Sequence, residues 1–374
     1  MIAYRYKLYR NRRIKKLEST ATICCGIYNH CIALHQQFYR RFSKHLNKFR
    51  LQRHLTKLKK QKRFQHWNQV NSQCIQEVTE RIEKGYQAFF KHDNDRPPTF
   101  RSRYKYKSFT LKTSGWKYIG DNRIKIGHHT YKFANSREHL GKPKTLTVKK
   151  DQVGDWFITI VARGKMPSKI KPKTGKSAGF DFGCTTFLTV SDGSEIKSPL
   201  FFKQSRKEIA KASRSVSRKV KGSNNRRKAK KTLARVHRQV ANRRDDWQWK
   251  LANRLADQFD ELCFEDLDMK GMSRKHGKKV SDLGFADFLH KLDSICQKHD
   301  KQVVKIDRWF PSSKTCSDCG FVKHDLGQYE RSWICPQCGT DHDRDFNASI
   351  NIHAVGASTV KAESVSPAFA GSFQ

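Results

Sequence analysis

Two Cys-x-x-Cys pairs near the end of the chain place the strongest constraint on its fold. The pairs stand 15 residues apart. A tight turn brings the two sulfurs of each pair to one side, so four thiolates can surround one Zn²⁺ ion at about 2.3 Å. Glycine follows each pair, at Gly320 and Gly339, as such turns prefer. The predicted zinc ligands are Cys316, Cys319, Cys335 and Cys338.

The chemistry of this four-cysteine set indicates a structural metal site. Every position is cysteine and none is left for water, which is typical of structural rather than catalytic zinc. A pair of redox-active dithiols is the alternative. The other seven cysteines are scattered, and several, such as Cys263, lie in apolar runs typical of small core residues. The odd total of 11 argues against a disulfide scaffold and for a reducing compartment.

The charge of the chain predicts a polyanionic partner. Lys and Arg number 77 against 34 Asp and Glu, which gives a formal net charge of +43. Nucleic acid is the commonest partner of so basic a protein. A membrane surface fits poorly, because no apolar run approaches the roughly 18 residues of a membrane-spanning helix. The segment Met1–Arg5 has no secretory signal pattern. We therefore expect a protein with no membrane role. A prokaryotic cytoplasmic, nucleoid-associated location is implied only by the family resemblance described below, and nuclear localisation signals are the alternative use of the Lys/Arg runs.

Hydrophobic periodicity divides the first half of the chain. Residues 2–9 mix aromatic and basic side chains and predict a short strand. Stripes near a 3.6-residue period predict helices over 14–50 and about 70–90. Between about 100 and 165 the pattern alternates, and two alternating runs flank a Gly-Asp turn, which predicts a β-hairpin within a barrel or sheet. The basic, proline-containing stretch 164–178 is typical of a linker.

The segment 203–244 is unusually basic. It holds 17 Lys or Arg against one acid, Glu208, and few helix breakers apart from Gly222. Like charges at helical spacing repel one another, so such a helix is favoured when phosphates neutralise it. We predict an ordered helical pair facing nucleic acid, with a disordered basic arm as the alternative. The Ala- and Ser-rich tail 356–374 has no clear period, and we expect disorder there.

Three acids stand out in a chain that is short of acids. Asp181 lies in an apolar strand, Glu265 directly follows another apolar run, and Asp345 precedes an apolar helix. Acids at strand ends and a helix start can converge on one sheet edge, and several carboxylates are what a two-metal phosphodiesterase needs to hold Mg²⁺. Taken singly, each acid is more simply a cap, turn residue or ion-pair partner. That interpretation is preferred for Asp192, Asp266 and Asp268.

Several of these motifs resemble one known family. Gly179-Phe180-Asp181-Phe182-Gly183 resembles the first RuvC motif, and Phe264-Glu265-Asp266-Leu267 resembles the second. The run from Cys335 to Ala348 resembles a zinc ribbon joined to the third motif, as in the transposon-encoded TnpB family, to which type V CRISPR effectors are related. Arg96-Pro97-Pro98-Thr99-Phe100 is similar to the family's Gly-Pro-x-Phe segment, with Pro97 in place of glycine. The resemblance spans roughly residues 2–353.

The resemblance implies a multidomain α+β fold. A β-barrel wedge domain carries a helical recognition insertion and is followed by an RNase H-like (RuvC) α/β nuclease domain with an inserted zinc ribbon. The expected boundaries are 1–15 and 100–170 for the wedge domain, 16–99 for the recognition domain, 175–311 and 341–355 for the nuclease domain, and 312–340 for the ribbon.

The resemblance also implies a function. It implies an RNA-guided, Mg²⁺-dependent DNA endonuclease that cleaves target DNA beside a short transposon-adjacent motif, with Asp181, Glu265 and Asp345 holding catalytic Mg²⁺. Asp345 is preferred to Asp343 because it directly precedes the Phe-Asn-Ala helix start. The implied partners are a guide RNA from the transposon end and double-stranded target DNA, with no small-molecule substrate.

Individual nucleic-acid contacts are harder to predict than these partners. The basic residues of 203–244 and 50–63 are candidates for backbone contacts. Tyr4, Tyr6 and Trp67 are candidates for base stacking, although core packing explains them equally well.

Three alternative functions share parts of this pattern. A nuclease-inactive, RNA-guided DNA-binding repressor would keep the fold and lose a carboxylate, whereas all three are present here. A transposase could use the same fold, since fold does not fix function. A zinc-ribbon binding module without chemistry would leave the three spaced acids unexplained.

Overall fold

The computed structural model describes residues 1–137, 141–164, 170–327 and 329–365. It divides into two compact units, Met1–Met166 and Pro167–Gln374. Within the described residues no helix is both long and apolar enough to cross a membrane.

The first unit contains a four-stranded antiparallel sheet. Its strands are β1 (Ile2–Lys7), β2 (Ser108–Leu111), β6 (Lys142–Lys150) and β7 (Trp156–Arg163), in the order β1-β7-β6-β2. The predicted hairpin is confirmed: Leu146 pairs with Ile160 and Val148 pairs with Ile158. All four side chains are buried, because residues at alternate positions of a strand share one face.

A second, smaller sheet accompanies the first. It contains β3 (Trp116–Tyr118), β4 (Arg123–Ile126) and β5 (His129–Lys132). A single antiparallel bridge pairs Leu8 with Phe133. The described strands therefore form two separately hydrogen-bonded sheets, and the expected β-barrel remains a prediction.

Helices occupy the chain between β1 and β2. They are α1 (Ile14–Phe42), α2 (Lys48–Leu58), a 3-10 helix (Lys62–Gln69) and α3 (Ser72–Phe90). The single helix predicted over 14–50 is wrong in one respect, since α1 ends before Ser43, which has a left-handed backbone (φ 50°). A new helix then starts behind Asn47, whose side chain accepts a hydrogen bond from the Arg50 amide.

The helices and the sheets of this unit share one hydrophobic core. The aromatic side chains predicted to lie either in the core or against bases are all in this core: Tyr4, Tyr6 and Trp67 are at most 4 % exposed. Core packing is therefore the correct interpretation of these three residues.

The second unit is built on a five-stranded mixed sheet. Its strands are β8 (Ser177–Asp181), β9 (Thr186–Val190), β10 (Glu195–Lys197), β11 (Glu261–Glu265) and β12 (Gln302–Ile306), in the order β10-β9-β8-β11-β12. The first three are antiparallel, and β8, β11 and β12 are parallel. A turn through Asp192 and Gly193 joins β9 to β10, and Gly193 adopts the positive φ of 86° that such a turn favours.

The last helix, α9 (Arg344–Val365), lies against this sheet at unusually close range. A Cβ atom on Gly179 of β8 would come within 2.5 Å of the His353 amide nitrogen, and one on Gly356 would overlap the Cys263 side chain. The helix continues to Val365, so the tail does not become irregular at residue 356 as predicted. Alanine and serine do not stop a helix that its preceding turns already hold on the sheet. Residues 366–374 lie outside the described chain.

The basic segment forms the predicted helical pair. Helix α4 (Phe201–Gln204) is followed by α5 (Arg206–Ser217) and the long α6 (Asn224–Gln258), with Gly222 at a positive φ of 89° between them. The end of α6 is apolar and packs on α8 (Phe285–Lys298), which follows α7 (Met269–Leu283). Residues Leu251, Ala252, Leu255 and Ala256 are buried there.

Candidate functional site

Asp181 and Glu265 end two neighbouring parallel strands. The register pairs Phe180 of β8 with Phe264 of β11, so the next residue of each strand is a carboxylate. Parallel strands bring their carboxyl ends to one edge of a sheet. Both side chains are half-buried at that edge.

The first turn of α9 brings Asp345 to the same edge. The neighbouring Asp343 has a different role, because its Oδ1 accepts a hydrogen bond of 2.9 Å from the Phe346 amide and caps the helix. Asp345 makes no such cap and is close enough to raise the pKa of Asp181. The two acids therefore have different surroundings, and the choice of Asp345 as a metal ligand stays a prediction.

The electrostatics of the edge set Asp181 apart. Burial and the negative charges of Glu265 and Asp345 together raise its pKa to about 8, although Arg344 opposes the shift. Burial also raises the pKa of Glu265, and a hydrogen bond from Ser312 opposes this. The charges of Glu265 and Asp345 disfavour the charged form of Asp181, and a bound cation would relieve this repulsion.

Two residues that the sequence analysis did not single out hold these carboxylates. The Ser312 hydroxyl donates to Glu265 Oε1. The Arg331 guanidinium donates to both oxygens of Asp345, at 3.1 and 2.9 Å. Neither residue belongs to a recognisable spacing, and only the folded chain brings these pairs together.

Two of the three acids set aside as structural, Asp192 and Asp266, make local contacts. Asp192 accepts a hydrogen bond from the Ser194 amide at 2.9 Å within its turn. Asp266 forms ion pairs with Lys305 and Arg308, which lower its pKa. Both acids are therefore occupied by local contacts.

The four predicted zinc ligands form one cluster. Their sulfur atoms all lie within 4.8 Å of one another. The distances from Cys316 to Cys338 and from Cys319 to Cys335 are both 3.6 Å, close to the roughly 3.8 Å edge of a tetrahedron with 2.3 Å arms. Among the described residues, no other group of three or more His, Cys, Asp or Glu side chains has its ligand atoms this close together. The three carboxylates of the sheet edge stand farther apart.

Further contacts prepare the cysteine cluster and tie it to the helix. A hydrogen bond with the Thr340 hydroxyl lowers the pKa of Cys338 to about 6, which favours the thiolate. The buried His342 has Nε2 at 3.0 Å from Cys316 Sγ. Asn347 of α9 accepts from the Ser317 amide and donates to the Thr315 carbonyl. The cysteine segment, with its strands β13 (Ser332–Ile334) and β14 (Asp341–Asp343), is thereby fixed to the helix that carries Asp345.

A basic stripe runs along the first half of α6. Lys228, Lys231 and Arg235 are all exposed and stand three and four residues apart, on one helical face. Val236 and Val240 are buried on another face. The chain has no acid between Glu208 and Asp245, so this stripe presents uncompensated positive charge.

Comparison with known families identifies the class of this chain. Residues 160–276 match the family OrfB_IS605, described as "Probable transposase", and residues 285–352 match the family described as "Cas12f1-like, TNB domain". These ranges together include the three carboxylates and the four cysteines. The site therefore belongs to a class of transposon-encoded proteins.

Individual relatives identify the family within this class. The chain is 32 % identical over 308 residues to a Streptomyces pristinaespiralis protein named "Putative RNA-guided DNA endonuclease", covering 81 % of this chain and 76 % of that one. It is 30 % identical over 241 residues to "TnpB-like protein L770" of Acanthamoeba polyphaga mimivirus, covering 60 % and 46 % of the two chains. The chain belongs to the TnpB family.

A solved structure shares the fold. The chain resembles the protein in the "Cryo-EM structure of the Cas12f1-sgRNA-target DNA complex" with a TM-score of 0.57 and 14 % identity. The match covers 92 % of this chain and 83 % of that one. The mixed α and β architecture is therefore shared across most of both chains.

Proposed function

We propose that this protein is an RNA-guided DNA endonuclease that uses Mg²⁺ to cleave target DNA beside a short transposon-adjacent motif. One observation carries the proposal: Asp181, Glu265 and Asp345 meet at one sheet edge, where the other two carboxylates raise the pKa of Asp181. A protein with no chemistry to perform would gain nothing from grouping three repelling acids in a chain of net charge +43.

The three carboxylates fit Mg²⁺, which prefers oxygen ligands and tolerates few protein ligands in its shell. Asp181, Glu265 and Asp345 would hold it. When bound, Mg²⁺ supplies a water of lowered pKa and neutralises charge that develops on the phosphate.

The chain's own residues organise this edge for a phosphodiester. The Ser312 hydroxyl fixes one oxygen of Glu265 and leaves the other free as a ligand. Arg331 offers a guanidinium beside the carboxylates, a group whose planar donors suit phosphate as well as carboxylate. The surrounding charge attracts the substrate backbone.

The four cysteines fit a structural Zn²⁺. Sulfur separations of 3.6 Å suit a tetrahedral site, and no position remains for water. Since Asn347 links the cysteine segment to α9, zinc binding would support the position of Asp345 from the far side of the helix start.

A guide RNA from the transposon end and double-stranded target DNA are the proposed partners. The basic stripe of α6 is suited to phosphate backbones. Related proteins are named as RNA-guided DNA endonucleases, and the Cas12f1 structure that shares the fold is described as a complex with guide RNA and target DNA. In such systems base pairing reads the sequence while the protein reads a short adjacent motif.

The same proposal assigns the domains. We take the sheets of the first unit as the wedge domain, 1–15 and 100–170, with the helices of 16–99 as its recognition insertion. The mixed sheet and α9 are the RNase H-like nuclease domain, 175–311 and 341–355. The segment 312–340 is the zinc ribbon.

The test begins with the RNA. The protein is purified from cells that carry its native flanking DNA, and RNA that copurifies with it is sequenced. The complex is then incubated with Mg²⁺ and a plasmid library randomised beside the guide match. Cleavage that requires both the match and a short motif, and is lost in Glu265→Ala, supports the proposal. The absence of a discrete RNA, or cleavage indifferent to it, contradicts it.

The description "Probable transposase" attached to the matching family keeps one alternative open. A transposase would join DNA strands as well as cut them, and its products would not depend on a guide. Sequencing the DNA ends for joined products separates the two functions.

A further inference from the structure

Trp309 is the most exposed of the seven tryptophans in the chain. Its side chain is 84 % exposed, whereas the next, Trp249, is 43 % exposed. A tryptophan left in water forgoes the burial that usually stabilises so large a ring. An exposed tryptophan on a fixed backbone is therefore a candidate binding residue.

The backbone that carries Trp309 is fixed. Its amide donates to Asp307 Oδ1 at 2.9 Å, and the Phe310 amide donates to the Asp307 carbonyl at 3.2 Å. The Phe310 side chain packs against Ile306 and Ile352. The chain thus turns one aromatic ring into the core and leaves the neighbouring ring in solvent.

The same short segment ends at the carboxylate edge. Ser312, only 4 % exposed, donates its hydroxyl to Glu265, and its carbonyl accepts from Asn351 of α9 at 2.8 Å. Ser312 is three positions after Trp309, so their Cα atoms are at most about 11 Å apart. At a stacked rise of about 3.4 Å per nucleotide, this corresponds to roughly three nucleotides.

The exposed indole of Trp309 favours a planar, aromatic ligand. Arg308 and Lys305 both pair with Asp266, and Asp268 and Asp307 also act on Arg308, so acids balance the cations beside the ring. Aromatic rings next to cations bind single-stranded nucleic acid by stacking, because every base has a π face.

From these observations we infer that Trp309 stacks on a base of the single strand that enters the carboxylate site, within about three nucleotides of the phosphate that is cut. This inference rests on the proposed nuclease function. Trp309 is a positioning residue in it, since it holds the strand and touches no reacting atom.

A photochemical crosslink tests the contact without cleavage. The Asp181→Asn protein is purified with its RNA and bound to target DNA that carries one 5-iododeoxyuridine, moved position by position along the strand. After irradiation, mass spectrometry should find the Trp309 peptide joined to DNA from no more than about three adjacent positions. A crosslink from no position, or from positions spread along the whole strand, would overturn the inference.

Cleavage kinetics test whether stacking on Trp309 positions the strand. Trp309→Ala should cut about tenfold more slowly and at scattered positions, with target affinity unchanged within about twofold, because one stacked base is lost near the site. Trp309→Phe keeps a ring and should retain the wild-type cut positions. Trp249→Ala, which also removes a partly exposed tryptophan, is the matched control and should cut like wild type.

The stacking role of Trp309 and the nuclease function can be disproved separately. If Trp309→Ala cuts at the wild-type rate and positions, the stacking inference is wrong and the nuclease function stands. If the wild-type complex cuts no guided target, the nuclease proposal fails, while the crosslink still reports whether Trp309 contacts the strand.

Discussion

Nη1 of Arg331 lies 3.1 and 2.9 Å from the two carboxylate oxygens of Asp345. The guanidinium therefore occupies the oxygens that a metal ion would use. Arg331 comes from the cysteine segment and Asp345 from α9, so the contact joins the two predicted metal sites. It also places a cation at the edge where three acids repel one another.

Competition between Arg331 and metal can be measured directly. We predict that Arg331→Ala binds Mn²⁺ more tightly by up to about fivefold, since a largely exposed ion pair contributes roughly 0–1 kcal/mol. The Mn²⁺ affinity of Arg331→Lys should lie between those of the wild type and Arg331→Ala. Isothermal titration of the metal-free proteins checks this. Weaker Mn²⁺ binding by Arg331→Ala would mean instead that the arginine orients Asp345 as a ligand.

The raised pKa of Asp181 predicts how stability depends on pH. Because its folded-state pKa is about 8 against an ordinary value of 3.8, the folded metal-free protein binds more protons than the unfolded chain between those values. Its stability should therefore fall as the pH rises from about 4 to about 8.

Asp181→Asn removes this ionisation. It should stabilise the metal-free protein by roughly 2–5 kcal/mol at pH 8 and by little at pH 4. Denaturant unfolding at both pH values, with and without Mg²⁺, measures the effect. Added Mg²⁺ should stabilise the wild type at pH 8 much more than the variant. If Asp181→Asn stabilised the metal-free protein equally at both pH values, the charge of Asp181 would not be the cause of the pH dependence.

Gly179 sets the distance between β8 and α9. Its α-hydrogen faces the helix backbone, and an alanine Cβ would come within 2.5 Å of the His353 amide nitrogen. We expect Gly179→Ala to destabilise the protein by about 1–3 kcal/mol, since backbone atoms cannot move aside as a side-chain end can. Gly26→Ala is the matched control, because that glycine has nothing within 4 Å and lies inside α1. Equal unfolding temperatures for the two variants would contradict this packing argument.

The basic stripe of α6 should govern the salt dependence of nucleic-acid binding. Replacing Lys228, Lys231 and Arg235 by Gln should lower the slope of log affinity against log salt by about 2–3, if each contacts one phosphate. Exchanging Lys for Arg and Arg for Lys at the same positions keeps the charge and should keep the slope. Affinities measured at several salt concentrations give the slopes. If the Gln variant kept the wild-type slope, the phosphates would contact residues other than these three.

Local sequence patterns predicted the elements and the positions of the acids. The turn geometry of each Cys-x-x-Cys pair is local, and so is the end of an apolar strand at Asp181 or Glu265, which explains why these features could be predicted. The break at Ser43 was missed because apolar periodicity continues across it, and the cap at Asn47 is a weaker signal.

Contacts between distant segments could not be predicted in this way. Ser312 lies 47 residues from Glu265, and Arg331 lies 14 residues from Asp345 across a strand pair. No spacing rule connects such residues, because their contact depends on how β12, the cysteine segment and α9 pack. The exposure of Trp309 is similarly a property of the fold, since the adjacent Phe310 is also aromatic but is half-buried against a hydrophobic cluster.

Two acids only two residues apart allow the most direct test of the central claim. Asp345 lies at the carboxylate edge, whereas Asp343 caps α9, a role that asparagine also fills. The measurement is the rate of Mg²⁺-dependent cleavage of guide-matched DNA by the RNA-bound wild type, Asp345→Asn and Asp343→Asn proteins. The account predicts a loss of about 10²-fold or more for Asp345→Asn, with target binding retained, and near wild-type cleavage for Asp343→Asn. Cleavage that survives in Asp345→Asn, or fails equally in both variants, would contradict it.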